Sequence, residues 1–227
     1  MSKIYIPAKS ADDWKGFLAD PDKQWRTGFS AKTLAHCWDA AQKADGLPKE
    51  IASMLRPYGA KVQLLFATPE YKVPLPGASR AESQNDIFAL ARAGEMTFAI
   101  MVEGKVREPF GETLGDWLRN ASDGKRERLA FICKGLGITC PPPDHIYYQL
   151  LHRTCSAVIE AQRFKTDAAA MIVQSFSPEQ IWFEALVQFA SLFDVALRAN
   201  ELIAIRPNGR PPVYIGWACG DCSFLTA

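Results

Sequence analysis

The stretch Glu82–Gly111, ESQNDIFALARAGEMTFAIMVEGKVREPFG, decides how the rest of the chain is read. It is apolar from Phe98 to Val102 and then carries Glu103 and Lys105. A buried strand normally stays apolar, because an unpaired charge taken out of water is costly. Either the strand emerges into solvent at Glu103, or the two charges have a task. In an extended strand, residues two apart share a face roughly 6.6 Å apart. Glu103 and Lys105 therefore point the same way as Thr97, Ala99 and Met101, while Phe98, Ile100, Val102 and Val106 take the other side. The segment DIFALARAG before it is short enough to be strand or helix. As a strand joined through a tight connection at Gly94 and Glu95, it brings Asp86 to the same end as Glu103.

Outward from this pair the periodicity changes twice. On the N-terminal side, KIYIP reads as a short strand and SADDWKGFLA as a helix capped by Ser10. SAKTLAHCWDAAQKA places Leu34, Cys37, Trp38 and Ala41 on one helical face behind a cap at Ser30, and KEIASMLRPYG follows as another helix. AKVQLLFATPEYKVPLP is β-like up to Thr68, so residues 61–107 predict three consecutive strands. On the C-terminal side, TLGDWLRNAS, KRERLAFICKGLG and HIYYQLLHRTCSAVIEAQRF predict helices. AAAMIVQSFS predicts a buried strand, and PEQIWFEALVQFASLFDVAL a helix with proline in its first turn. The tail predicts a hairpin, VYIGWACGDCSFL, turning at Gly220 and Asp221. The fold class is thus α/β in the α+β sense. It is one domain over 1–227, with a core at about 30–177 and elaborations at 1–29 and 178–227.

Two carboxylates and an ammonium converging at strand ends have a definite chemical use. Carboxylate oxygens suit a hard cation such as Mg²⁺ or Mn²⁺, which is usually held by one or two such groups with waters completing the shell. The cation stabilises charge on a phosphoryl group. A lysine beside it orients water or meets developing negative charge. An acidic residue two before a lysine is weak evidence alone, since the chain has four: Asp13/Lys15, Glu70/Lys72, Glu103/Lys105 and Asp123/Lys125. Only the third ends a strong apolar strand with an aspartate 17 residues upstream at a plausible strand start. Glu70 is the nearest competitor, set back by the flanking Pro69 and Pro74.

An aspartate early in one strand, then glutamate and lysine two apart in the next, resembles the PD-(D/E)xK nuclease superfamily, with its core of helix, three strands, helix, strand. The resemblance implies a restriction-endonuclease-like core. It implies Asp86, Glu103 and Lys105 as catalytic residues, Asp86 and Glu103 as ligands of Mg²⁺ or Mn²⁺, and hydrolysis of nucleic acid, DNA first among the substrates. The sequence departs from the motif at Asn85, where the superfamily pattern has proline. Members often add an acidic residue from before the first strand and polar or basic residues from the helix after the third. Here Glu50 and Glu82 are the candidates for the first role, and Gln149, His152 and Arg153 for the second. Gln149 and Arg153, four apart on a helix, share a face. Two other readings stand beside this one. In one, the charges form a salt-bridged solvated strand end with Asp86 capping DIFALARAG as a helix; in the other, the chain is a non-catalytic nucleic-acid or protein-binding module on a nuclease-like fold.

The remaining composition mostly excludes. A net charge of +1 gives no global attraction for polyanions, so any nucleic-acid contact must be local. There is no G-x-S-x-G, Walker A, G-x-G-x-x-G or H-E-x-x-H, and three histidines are thin material for a metal site or triad. Six cysteines with no second pair to complement CGDC, Cys219 to Cys222, predict reduced thiols rather than a zinc site. No apolar run reaches the roughly 20 residues of a membrane span, and the start lacks the apolar stretch of a secretory signal, so a cytoplasmic protein without a membrane partner is expected. Six tryptophans and the segment IWFEALVQFASLF allow a homo-oligomer, although core burial accounts for them too.

Overall fold

The apolar run Phe98–Val102 is the middle of a strand buried on both faces. In the computed structural model, which describes residues 4, 9–44, 46–77, 82–206 and 208–227, it belongs to a six-stranded mixed sheet of order β1-β2-β3-β4-β6-β5. The strands are β1 Val62–Val73, β2 Ser83–Ala93, β3 Met96–Lys105, β4 Ala168–Ser175, β5 Leu202–Arg206 and β6 Val213–Cys219. β1, β2 and β3 form an antiparallel meander, β4 runs parallel to β3 and to β6, and β5 returns antiparallel on β6. Central strands covered on both sides have no solvated face, so they read as continuous apolar runs instead of alternating ones. MTFAIMV and AAAMIV are that case.

Helices cover both faces. On one lie α2 (Ser30–Ala41) and α3 (Lys49–Leu55), whose Leu34, Trp38, Ile51 and Leu55 pack on Ile87, Phe98, Ile100, Val102 and Ile172. The short α1 (Pro21–Gln24) precedes them. On the other face lie α4 (Leu114–Leu118), α5 (Asp123–Leu136), α6 (Tyr148–Phe164) and α7 (Phe183–Ser191), packed on Phe88, Ala99, Met101, Met171 and Val173. The division of β3 is the expected one: Ala99 and Met101 meet α6, while Phe98, Ile100, Val102 and Val106 meet α2 and α3. DIFALARAG is strand and not a capped helix. Ala93 pairs with Met96, leaving Gly94 and Glu95 as a two-residue turn, and Gly94 supplies the positive φ of 59° that such a turn requires.

Several boundaries differ from the sequence expectation. β1 continues through Pro69 to Val73, which an edge strand tolerates. Ser30 is the first helical residue of α2 and not its cap; its N–H donates to Glu108 Oε1 at 2.7 Å. The segment after Ser10 is a 3-10 helix, Ala11–Phe17. The helix expected from Pro178 begins only at Phe183, because Gln180 and Trp182 adopt left-handed backbone with φ of 51° and 73°. The hairpin expected to turn at Gly220 and Asp221 does not form: VYIGWAC is β6, whose antiparallel partner is the preceding β5, and after Cys219 the chain turns into a 3-10 segment, Cys222–Thr226, with Asp221 accepting from Ser223 N–H. Of KIYIP only Ile4 lies within the described residues, and it bridges Ala67. All six cysteines are free thiols. Four of the six tryptophans, Trp14, Trp38, Trp117 and Trp217, are buried in the core. Among the described residues no helix is long and apolar enough to cross a membrane.

Candidate active site

The ladder between β2 and β3 ends at the pair Ile87 and Val102. Beyond it the two strands part, and the next residues are Asp86 on one and Glu103 on the other. Asp86, Glu103 and Lys105 line a single cleft of about 460 Å³ there.

Side-chain direction at this end is set by a slip in the alternation of β1 and β2. Phe66 and Tyr71 are five apart in β1, yet both rings meet Phe88, at centroid distances of 6.2 and 4.7 Å. An odd spacing on one face needs one residue out of register with the pleat. Glu70 is that residue, with φ of 52° in the left-handed region. For a non-glycine residue this conformation costs on the order of 1–3 kcal/mol and persists only where surrounding contacts enforce it. β2 slips likewise. Phe88 and Ser83, also five apart, both face α6: Phe88 through the Phe164 ring, Ser83 through hydrogen bonds to His152 Nδ1 at 2.8 Å and Ser156 Oγ at 2.9 Å. The result is that Glu70, Gln84 and Asp86 all line the cleft.

Glu103 is the fixed point. Its Oε1 accepts from Lys105 Nζ at 2.5 Å and its Oε2 from Arg153 Nε at 2.8 Å, with Glu103 3%, Lys105 4% and Arg153 7% exposed. Burial alone would raise this carboxyl's pKa; the two cations more than offset it and hold the group well below its ordinary range. Lys105 Nζ also lies 4.9 Å from the Phe110 ring centroid. The charges are thus neither solvated nor a surface ion pair.

Asp86 and Glu70 are in the opposite situation. Asp86 Oδ2 accepts the Gly104 N–H at 2.8 Å. Gly104 allows this approach without a side chain: a Cβ there would stand 3.2 Å from Leu34 and 3.4 Å from Oδ2. Burial, then the charge of Glu103, pushes the Asp86 pKa up, with Arg153 and Lys105 offsetting only part. Burial, then the charge of Asp86, raises Glu70 likewise, despite the Gln84 amide donating to its Oε2 at 2.5 Å. Among the described residues no hydrogen-bond donor meets Asp86 Oδ1 or Glu70 Oε1. These two oxygens are where the cleft has uncompensated acceptor capacity.

Two walls enclose this floor. One is α6, which contributes Gln149 and Arg153 as their spacing of four requires; Gln149 Oε1 is buried without a partner among the described residues. The other is the N-terminal segment, from Leu18 through Lys23 and Gln24 to Phe29. Glu108 ties that wall down, accepting from Ser30 N–H with one oxygen and from Val106 and Arg107 N–H at 2.9 and 3.0 Å with the other. The remaining expected residues lie elsewhere. Glu50 is on the opposite face, accepting from Gln174 Nε2 at 2.6 Å. His152 and Glu82 border a separate hollow of about 200 Å³ beside Trp117 and Tyr148. The residues that reading the sequence missed are Glu70, Gln84 and Glu108. Only Glu70 carried a signal, its own Glu-x-Lys spacing.

Among the described residues no three or more His, Cys, Asp or Glu side chains form a group ready to hold a metal. Four carboxylates line the cleft, Glu70, Asp86, Glu103 and Glu108; Asp86 and Glu70 each keep an oxygen that no donor among the described residues meets, and Mg²⁺ commonly takes one or two such hard oxygen donors from protein. The chemistry fits such an ion, with waters or substrate oxygens completing its shell.

A family model matches residues 7–222, a span that includes both walls and the floor of the cleft. The chain belongs to DUF6946, a domain of unknown function. Comparison with curated proteins and with solved structures gives no match.

Proposed function

We propose that the cleft hydrolyses phosphodiester bonds of nucleic acid, DNA in the first place, as a PD-(D/E)xK-like nuclease with Mg²⁺ or Mn²⁺. The observation that carries this reading is that Asp86, Glu103 and Lys105, separated by the β2–β3 turn, line one concave point where the two strands part. With α4 and α5 counted as insertions between β3 and α6, the order α3, β1, β2, β3, α6, β4, with β4 parallel to β3, supports it as the core order of that superfamily. Asp86 and Glu103 would hold the cation, with Glu70 adjacent, and the ion would supply positive charge against the phosphoryl oxygens.

The chain's own residues do the rest. Lys105 Nζ, held by Glu103 beside the cleft, orients the attacking water by hydrogen bonding and meets the negative charge that gathers on the phosphoryl group. Arg153 fixes the second oxygen of Glu103, so the carboxylate cannot rotate away. Gln149 offers an amide from the facing wall. In the step itself, a bond from water oxygen to phosphorus forms as that water gives a proton to solvent, one phosphorus–oxygen ester bond breaks, and the leaving alkoxide takes a proton from solvent water.

Metal-dependent cleavage of plasmid and synthetic strands, lost in Lys105→Ala and in Asp86→Ala, is the expected result. Activity unchanged in both variants removes the proposal. One observation favours a second reading, a binding module without turnover: both oxygens of Glu103 are already engaged by cations of the chain. Under that reading nucleic acid binds in a salt-sensitive way, indifferent to Mg²⁺, and is never cut.

A further inference from the structure

From the shape and chemistry of the cleft walls we infer that the substrate is single-stranded nucleic acid, taken a nucleotide or two at a time. The inference rests on the nuclease reading and narrows it.

The reacting groups are recessed. Glu103 and Lys105 are 3% and 4% exposed at the bottom of a slot between α6 and the N-terminal segment. Its volume of about 460 Å³ falls within the roughly 300–1,000 Å³ that suits one small organic ligand. A duplex cannot present a phosphate there. It is stiff, with a persistence length of about 50 nm, and its phosphates ride on the outside of a convex rod. A single strand bends freely, and its bases can splay apart into a slot.

The outer wall carries the chemistry that single strands use. Phe29 is 39% exposed, although most large apolar side chains of this chain are buried, and it borders the cleft. Lys23 and Gln24 stand on the same wall. An aromatic face for a base, with a cation and an amide for the backbone, is the pattern of sequence-tolerant single-strand binding. Charge argues the same way. A duplex footprint commonly neutralises about 6–10 phosphates. The cleft's cations are Lys23, Lys105 and Arg153; Glu103 already compensates the last two, and Lys23 sits in an exposed pair with Asp20 at 2.8 Å, the weakly held kind that a phosphate can displace. That set suits one or two phosphates.

The test uses a fluorescein-labelled oligonucleotide with Mg²⁺, presented as a single strand, as a blunt duplex, and as a duplex with an unpaired stretch. The expected result is cleavage of the single strand at least about tenfold faster than the blunt duplex, with the unpaired stretch restoring cleavage. Phe29→Ala, checked by thermal melting to be folded, should lower single-strand kcat/KM by about tenfold through KM, the loss of one stacked base. Blunt duplex cut as fast as the single strand overturns the inference and leaves the nuclease reading standing. If nothing is cut and Lys105→Ala behaves as the parent does, the nuclease reading fails. The inference is then judged by fluorescence anisotropy in Ca²⁺. Tighter binding of the single strand, weakened in Phe29→Ala, sustains it, and equal binding of both forms overturns it.

Discussion

Where β3 and β4 end, neighbouring positions point to opposite faces and bury polar groups in opposite ways. On the α2 side Gln174 is fully buried, but its Oε1 accepts from Trp38 Nε1 at 2.9 Å and its Nε2 donates to Glu50 at 2.6 Å. On the α6 side Glu103 is paired with two cations, and beside it Asp86 and Glu70 each keep an oxygen that no donor among the described residues meets. The first cluster is a closed network that specifies packing. The second concentrates charge, left-handed backbone at Glu70 and mutual repulsion of carboxylates at a cleft. Stability selects against that arrangement, and its persistence points to work done there.

The largest effect expected is on folding. Glu103→Ala leaves Lys105 and Arg153 buried without their counter-charge, a loss of about 3–5 kcal/mol by urea unfolding. A loss below 1 kcal/mol, as at exposed ion pairs, would mean that Glu103 is not the anchor of the site. Next comes a separation of stability from activity. Asp86→Asn keeps an oxygen for the Gly104 N–H and removes a charge that burial and Glu103 both disfavour. Its melting temperature should hold or rise while cleavage falls by about 10²-fold or more. A variant destabilised as badly as Glu103→Ala would erase the distinction between anchor and acceptor.

On the closed side the reverse is expected. Trp38→Phe removes the indole donor and strands the Gln174 oxygen, costing about 1–3 kcal/mol. Cleavage per folded molecule should be unchanged, because neither residue borders the cleft. A changed kcat/KM at equal folding would show that the two faces are coupled through β4.

Much of this contrast was legible in the sequence. The apolar run of β3 fixed which of its residues face which layer, and the spacing of Glu103 and Lys105 put them together. Gly94 gave the turn that returns Asp86 to their end. Glu70 was not legible, because left-handed backbone at a glutamate is imposed by packing around it and not by its residue type; the prolines that flank it pointed away from a paired strand. The N-terminal wall was hidden for a related reason. Phe29 and Lys23 border the cleft, and their position follows from three backbone N–H groups converging on Glu108, a long-range arrangement without local signature. CGDC misled because turn residues also end strands, and the true partner of β6 is the five-residue β5.

The smallest expected effect concerns a residue beside the charged region. His152 sits next in sequence to Arg153, yet its Nδ1 bonds the Ser83 hydroxyl, which also accepts from Ser156. By contacts it belongs with the closed kind of cluster. Burial first, then the charge of Arg153, holds its pKa well below the ordinary histidine range, so it is neutral in the folded chain. The sign follows from proton counting. Below pH about 6.5 the unfolded chain takes up a proton at this position that the folded chain does not, so the histidine's contribution to stability is present at neutral pH and is lost as pH falls. Raised carboxyls such as Asp86 and Glu70 act in the opposite direction, since there the folded chain binds the proton more readily. The informative quantity is therefore a difference: unfolding free energy measured at pH 7 and pH 5 in the parent and in His152→Asn. The parent should lose more on acidification, by up to about 1.4 kcal/mol per pH unit for one proton. Equal losses in both would mean that His152 already carries its proton when folded. It would then be a third cation near Glu103, after Lys105 and Arg153, and part of the charged region.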